Sequence, residues 1–190
     1  MRRVLLALAS CSVVACGGGD GAPGPGMLVA DSALGSLRAQ LVDADQSSVA
    51  PTHIRGNDIE VVFHDPTIGI LSMGVFAFVP EGNGFSAKVW QLPVAVFGEP
   101  AVGRVYAVKA TSDQSMPDTA VMSFEETQMG SGDWTATGGS IVVKSVVGRT
   151  VGFSFESVTL EAAGLGATGT FSIVGDLTIR DIDATCNCID

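Results

Sequence analysis

Aromatic side chains are scarce in this chain of 190 residues, which holds one tyrosine, two tryptophans and nine phenylalanines. So few rings make a poor supply of stacking platforms, and Trp90 and Trp134 fit core or edge packing better than sugar binding. Basic residues are also few, ten Lys and Arg against twenty Asp and Glu. A net charge of −10 makes a poor partner for nucleic acid, whose phosphates need cations, and it is repelled by anionic lipid surfaces. Histidine occurs only at His53 and His64, which leaves little material for a histidine-rich metal centre. No apolar run reaches the roughly 20 residues that a membrane-spanning helix needs. There is no His-Glu-x-x-His, no Gly-x-Ser-x-Gly, no phosphate loop and no dinucleotide fingerprint, and no cofactor is expected. Ser154 stands between Phe153 and Phe155 in an alternating run, not on a nucleophile turn.

What is present begins at the amino terminus. Arg2 and Arg3 form a short positive stretch, and Val4 to Ala15 is apolar or small. A basic start, a short apolar core and small residues at its end make a signal peptide. Val13-Val14-Ala15-Cys16 resembles the lipobox of bacterial lipoproteins. That resemblance implies cleavage before Cys16, a diacylglycerol on its thiol and acylation of the new amino terminus. Leu8-Ala9-Ser10-Cys11 fits the lipobox consensus residue by residue, but it leaves an apolar core of only Val4 to Ser10, so Cys16 is preferred. One acyl chain holds a protein reversibly and two or more hold it stably. Gly17 to Gly26 is a Gly/Pro spacer that cannot bury apolar surface and is expected to be disordered. In Gram-negative members of the class, an Asp directly after the cysteine tends to retain the protein at the inner membrane. Gly17 stands there instead, which implies the outer membrane.

The expected organisation is therefore a signal peptide over 1–15, a lipidated cysteine and tether over 16–26, and one domain over 27–190. Glycine is abundant at 24 residues, charge density is low at 16%, and the apolar residues are mostly Val, Ile, Phe and Ala. That mix favours strands and tight turns. Leu34, Leu37 and Leu41 recur at helical spacing, so Met27 to Val42 is the one expected helix, with an edge strand from Leu37 to Val42 as the rival reading. From Asp58 the period becomes two: Ile59, Val61 and Phe63 on one face, Glu60, Val62 and His64 on the other. Ile68 to Val79 is apolar on both faces, as in a covered central strand. Pro80 to Gly84 is a strong turn, returning Phe85 to Leu92 as a hairpin. Further strands are expected at Gly103–Thr111, Thr119–Thr127, Trp134–Thr137, Ser140–Val147, Thr150–Glu161 and Thr168–Ile182. Inward residues change from odd (Val151, Phe153, Phe155) to even (Val158, Leu160), which predicts a β-bulge near Glu156-Ser157. The fold class is all-β: an antiparallel β-sandwich or partly open barrel. This meander is similar to the uncharacterised β-rich lipoproteins of Gram-negative envelopes, a resemblance that implies no activity.

Candidate chemistry is sparse. Cys186-Asn187-Cys188 is the most distinctive local feature. An oxidising envelope would drive the pair toward a strained local disulfide. Pairing with another chain, a soft-metal site backed by Asp181, Asp183 and Asp190, and redox work are the other readings, though redox motifs usually space their cysteines as Cys-x-x-Cys. Asp43-x-Asp45 and Asp181-x-Asp183 could each hold a hard cation, or be solvated acidic turns. His64 reads as a surface histidine, with Asp65 pointing the other way. The expected function is a lipid-anchored envelope lipoprotein presenting a β-sandwich binding or structural module, its partner a protein or glycan. The alternative is an envelope metal-dependent hydrolase using acidic loop residues and His64.

Overall fold

The computed structural model describes residues 26–43, 53–56, 58–80, 87–113, 115–127, 132–164 and 166–184. The leader, Cys11, Cys16, the tether up to residue 25, Asp45, Cys186, Cys188 and Asp190 lie outside the described residues, as do the side chains of His53 and Trp90. Among the described residues eleven strands follow one another: β1 (Met27–Ser32), β2 (Gly35–Val42), β3 (His53–Gly56), β4 (Asp58–Asp65), β5 (Ile70–Pro80), β6 (Ala87–Phe97), β7 (Val105–Val108), β8 (Thr119–Thr127), β9 (Asp133–Val147), β10 (Thr150–Ala162) and β11 (Thr170–Ile179).

They form a single sheet in the order β3-β1-β2-β11-β10-β9-β7-β8-β6-β5-β4. The expected all-β class is what the structure shows, and its form is a partly open barrel. Neighbours are antiparallel except for β1 with β3 and β7 with β8, which are parallel. The sheet curls until its two edges come together, with β3 beside β5 and β1 beside β4 and β5. Across this seam Ile59 of β4 packs on Gly35 of β2. A Cβ added at Gly35 would stand 3.0 Å from the Ile59 side chain and 2.3 Å from the Thr178 carbonyl oxygen, so only glycine fits.

Alternation decides which side chains turn inward. Ala120, Met122 and Phe124 of β8 are buried, as are Phe171, Ile173, Leu177 and Ile179 of β11. Together with Val151, Phe153, Phe155, Val158 and Leu160 of β10 they belong to one apolar core. No whole polar or charged residue is buried among the described residues. Trp134 is 2% exposed and meets Phe124 and Phe171 at ring-centroid distances of 6.0 and 5.8 Å.

The bulge in β10 lies where the phase change placed it. Pairing with β11 jumps between Phe155 and Val158, and Ser157 takes a left-handed φ of 50°. Opposite it on β9 stands Gly139, at φ +93°. Gly138 and Gly139, expected as a turn between two strands, instead lie inside the continuous β9 and accommodate the bulge.

Three further expectations need correction. The segment expected to be helical is a two-stranded hairpin. Leu28, Ala30, Leu37, Ala39 and Leu41 are all buried at period two, and Ala33-Leu34 is its turn. Sheet burial of five apolar residues outweighs the helical spacing of three leucines. The seventh strand is shorter than expected, because only Val105–Val108 finds partners between β8 and β9. In β4 the ladder slips between Val61 and Phe63, leaving Val62 as an extra residue. Phe63 therefore does not join Ile59 and Val61 inside; it is 44% exposed, and the phase beyond it is reversed.

Candidate functional site

The slip in β4 sets up the clearest side-chain cluster of the molecule. It lies at the end of the barrel where β4, β6 and β11 finish and β2, β5, β7, β8 and β10 begin. His64 is not on a solvated face: its side chain is only 4% exposed. Its Nε2 stands 3.3 Å from Oε2 of Glu99, in the loop after β6, and its Nδ1 stands 3.0 Å from Oδ1 of Asp183, beyond β11. Both ring nitrogens thus face carboxylates, and neither is aimed at a hydroxyl or thiol that it could activate. Asp65 turns to its own loop, accepting hydrogen bonds from the backbone N–H of Thr67 and Ile68.

Asp183 belongs to a short tail, residues 180–184, that crosses the rim after β11. Its backbone is tied down at several points. Arg180 N–H donates to the Leu34 carbonyl (2.7 Å) and Ile182 N–H to the Arg149 carbonyl (3.0 Å). Thr150 Oγ1 donates to the Arg180 carbonyl (2.8 Å). Ile182 is buried, at 8% exposed, and closes the core from below. From the β9–β10 turn, Arg149 Nε reaches both Asp181 (2.7 Å) and Asp183 (2.9 Å). The two carboxylates, read from the sequence as either a cation pair or a solvated acidic turn, therefore share a guanidinium. Arg180 bridges back to the β1–β2 hairpin, contacting the carbonyls of Ser32 and Gly35 and, at 3.3 Å, Asp31.

The other flank of the rim is organised by Arg104. Its Nε pairs with Asp118 at 2.6 Å, and one terminal nitrogen donates to the Glu99 carbonyl at 2.7 Å. Its guanidinium lies 5.6 Å from the ring centre of Tyr106, whose hydroxyl donates to the Gly98 carbonyl at 2.6 Å. Tyr106 has no exposed surface, and burial pushes its phenol well above the ordinary tyrosine range. Arg104 opposes that shift, while Glu99 and Asp118 add to it. In the neighbouring loop the hydroxyl and then the backbone N–H of Ser115 hold the Asp113 carboxyl below its usual value.

Because Tyr106 is the sole tyrosine, its ionisation can be followed directly by absorbance near 295 nm. No phenolate signal is expected through pH 10, about where a free tyrosine ionises, and it should rise only with unfolding. A raised folded-state value means that the contribution to stability is whole below the unfolded value of about 10 and is lost as pH climbs through the folded value. A reversible midpoint near 10 in the folded protein would contradict this burial.

His64 and Asp183, both named from the sequence, are thus brought together, and Asp181 joins them through Arg149. Asp43 follows β2 at the opposite end of the barrel, with a left-handed φ of 57°. Trp134 is a core residue, as expected. Glu99, Arg149, Arg104 and Tyr106 were not singled out by sequence reasoning; the sole tyrosine, two residues after an arginine, was the one available signal. Among the described residues no group of three or more His, Cys, Asp or Glu is arranged to hold a metal ion. An open outer groove lies on the far flank, where β7 ends and β8 begins to pair with β9; Pro93, Ala95, Val121, Ser123 and Thr135 line it. No protein-family model, curated protein or solved structure matches the chain.

Proposed function

We propose that this chain is a lipoprotein of the cell envelope, anchored through Cys16 in the outer membrane, and that its β-domain is a binding or structural module displayed from that anchor. The observation that carries the display reading is an asymmetry between the two ends of the barrel. Gly26 leads into β1 at the end opposite the His64 rim. Ile68, Val102, Val105 and Val147, four of the eight exposed large apolar side chains among the described residues, sit at turns or strand ends of the rim itself. Ten residues join Cys16 to Gly26, a link of at most about 36 Å. A lipid at Cys16 would hold the barrel by its Trp134 end and turn the rim, with its exposed apolar side chains, toward a protein or glycan partner.

The test is fractionation with fatty-acid labelling of the wild type, Cys16→Ser and Cys11→Ser. The wild type and Cys11→Ser are expected to sediment with membranes and carry label. Cys16→Ser should lose the label and nearly all of its membrane association, because the acidic domain has no other attraction to anionic lipid. Label retained in Cys16→Ser and lost in Cys11→Ser would move the anchor to Cys11; label in none of the three would end the lipoprotein reading. The alternative, a metal-dependent hydrolase using acidic loop residues and His64, would need those side chains to rearrange, because no group of three among the described residues is arranged to hold a metal ion. It would gain if the purified chain bound one Zn²⁺ in equilibrium dialysis and lost that binding in His64→Ala.

A further inference from the structure

The groove on the flank between β6 and β9 owes its depth to two interruptions of the sheet. Pro93 has no N–H to give to a ladder, and the pairing of β6 with β8 passes from Gln91–Glu125 to Val94–Met122 without a bridge at Leu92 or Pro93. On the other side of β8, β7 stops at Val108, and β9 becomes the neighbour only from Ser123 onward. Pro93, Ala95, Val121, Ser123 and Thr135 alternate with core residues along their strands, so they face outward, and Ala110 completes the wall. The groove holds about 220 Å³. At roughly 30 Å³ per non-hydrogen atom that is room for about seven, enough for one or two small apolar side chains and less than a small-molecule pocket offers.

The two ends of the groove carry opposite charge. The Lys109 N–H donates to the Ala120 carbonyl at 2.9 Å, which continues the β7–β8 register and places Lys109 opposite Val121. Lys109 is exposed, and its ammonium has no hydrogen bond or ion pair among the described residues. Four residues further along β8 stands Glu125, directly across from Asp133 of β9. Like charges opposite each other on neighbouring strands are unfavourable. The Glu125 carboxylate accepts from the Ser123 hydroxyl at 2.8 Å, and among the described residues no cation balances it or Asp133. The cationic and anionic ends are thus four strand residues apart, about 13 Å, with an apolar floor between them. An extended peptide has the same repeat, and its alternate side chains fall on one face.

We propose that this groove docks an extended segment of a partner protein, with an acidic side chain on Lys109, a small apolar side chain on the floor and a basic side chain against Glu125 and Asp133. The site rests on the binding-module reading and deepens it by naming the partner as a protein strand. It is independent of the anchor, so either can fail without the other. Selectivity comes from the two ends: the floor accepts any small apolar group, whereas a wrong charge at either end meets its like.

Backbone amide chemical shifts of the purified full chain, followed during titration with short peptides, test this. The probes are acetyl-Glu-Ser-Val-Ser-Lys-amide and two relatives with Glu at both ends or Lys at both ends. The mixed peptide is expected to bind in the millimolar range and to shift the Ala95, Ala110, Val121 and Thr135 amides. It should bind about fivefold more tightly than either like-charged peptide, the scale of one exposed ion pair. Net charge alone would rank the doubly basic peptide first, because the chain is acidic. Lys109→Glu changes an exposed residue and should invert the order, making the doubly basic peptide the tightest. Ala95→Phe, which fills the floor and leaves both ends intact, should remove binding of all three. No response to the mixed peptide, tightest binding of the doubly basic peptide to the wild type, an order unchanged in Lys109→Glu, or shifts confined to other amides would overturn the proposal. Octanoate binding at the same amides as tightly as the mixed peptide would also overturn it and assign the groove to an acyl chain. Concentration-dependent shifts there without peptide would overturn it in favour of a second copy of the chain. If Ala95→Phe does not fold, Lys109→Glu decides alone by the same criterion.

Discussion

Replacing Trp134 with alanine is expected to cost about 3–5 kcal/mol of folding stability, the range for deleting a large buried aromatic ring. The indole is wholly inside the barrel and closes a three-ring cluster. Phe124 and Phe171 also contact each other, at 5.7 Å between centroids and 82° between planes. These edge-on arrangements add to burial, because the positive edge of one ring meets the negative face of another. The rings come from β8, β9 and β11, so the cluster ties strands from both sides of the sheet order. Trp134 Nε1 also donates to the Thr168 carbonyl at 3.3 Å, and alanine would leave that acceptor without this donor. Urea unfolding should show a lower midpoint with an unchanged slope. A loss below about 1 kcal/mol would mean that the ring is not part of the core.

The second large effect is at Gly139. A Cβ there would stand 2.4 Å from the Ser157 carbonyl oxygen and 2.7 Å from the Val158 Cα, both backbone atoms of the bulge that cannot rotate away. The backbone is also left-handed, which a β-branched residue strongly disfavours. Gly139→Val should therefore cost more than about 3 kcal/mol or abolish cooperative folding. Its neighbour provides the control. A Cβ at Gly138 meets nothing within 4 Å, so Gly138→Ala should stay within about 1 kcal/mol of the wild type. Thermal unfolding followed by near-ultraviolet circular dichroism separates the two. Similar behaviour of both variants would contradict the placement of Gly139 against the bulge.

The two bulges show what could be read in the sequence and what could not. In β10 the polar residues Glu156 and Ser157 separate two apolar phases, so the slip is visible as a change of parity. In β4 the slip falls within Val61-Val62-Phe63, where all three residues are apolar and no phase is marked. His64 was consequently assigned to the wrong environment, although its chemistry made it stand out. The hairpin of β1 and β2 was misread for a related reason. Leucines three and four apart satisfy a helical period locally, and the strand pattern becomes decisive only when β11 is there to pair with β2. The partners of His64 could not be read from the sequence at all. Glu99 and Asp183 meet the imidazole only because the sheet curls, and curling is a property of the whole strand order. Electrostatics at the rim is modest in energy, since Arg149 and its partners are exposed and such pairs are worth roughly 0–1 kcal/mol. The rim's importance lies in what it holds together.

The central claim about function rests on the amino-terminal cysteine, and the intact mass of the protein extracted from its own membrane tests it most directly. A mature chain beginning at Cys16 and carrying the added mass of diacylglycerol and an amide-linked acyl chain is the predicted result. An unmodified chain beginning at any other residue would contradict the account, and the domain would then be a freely secreted β-barrel.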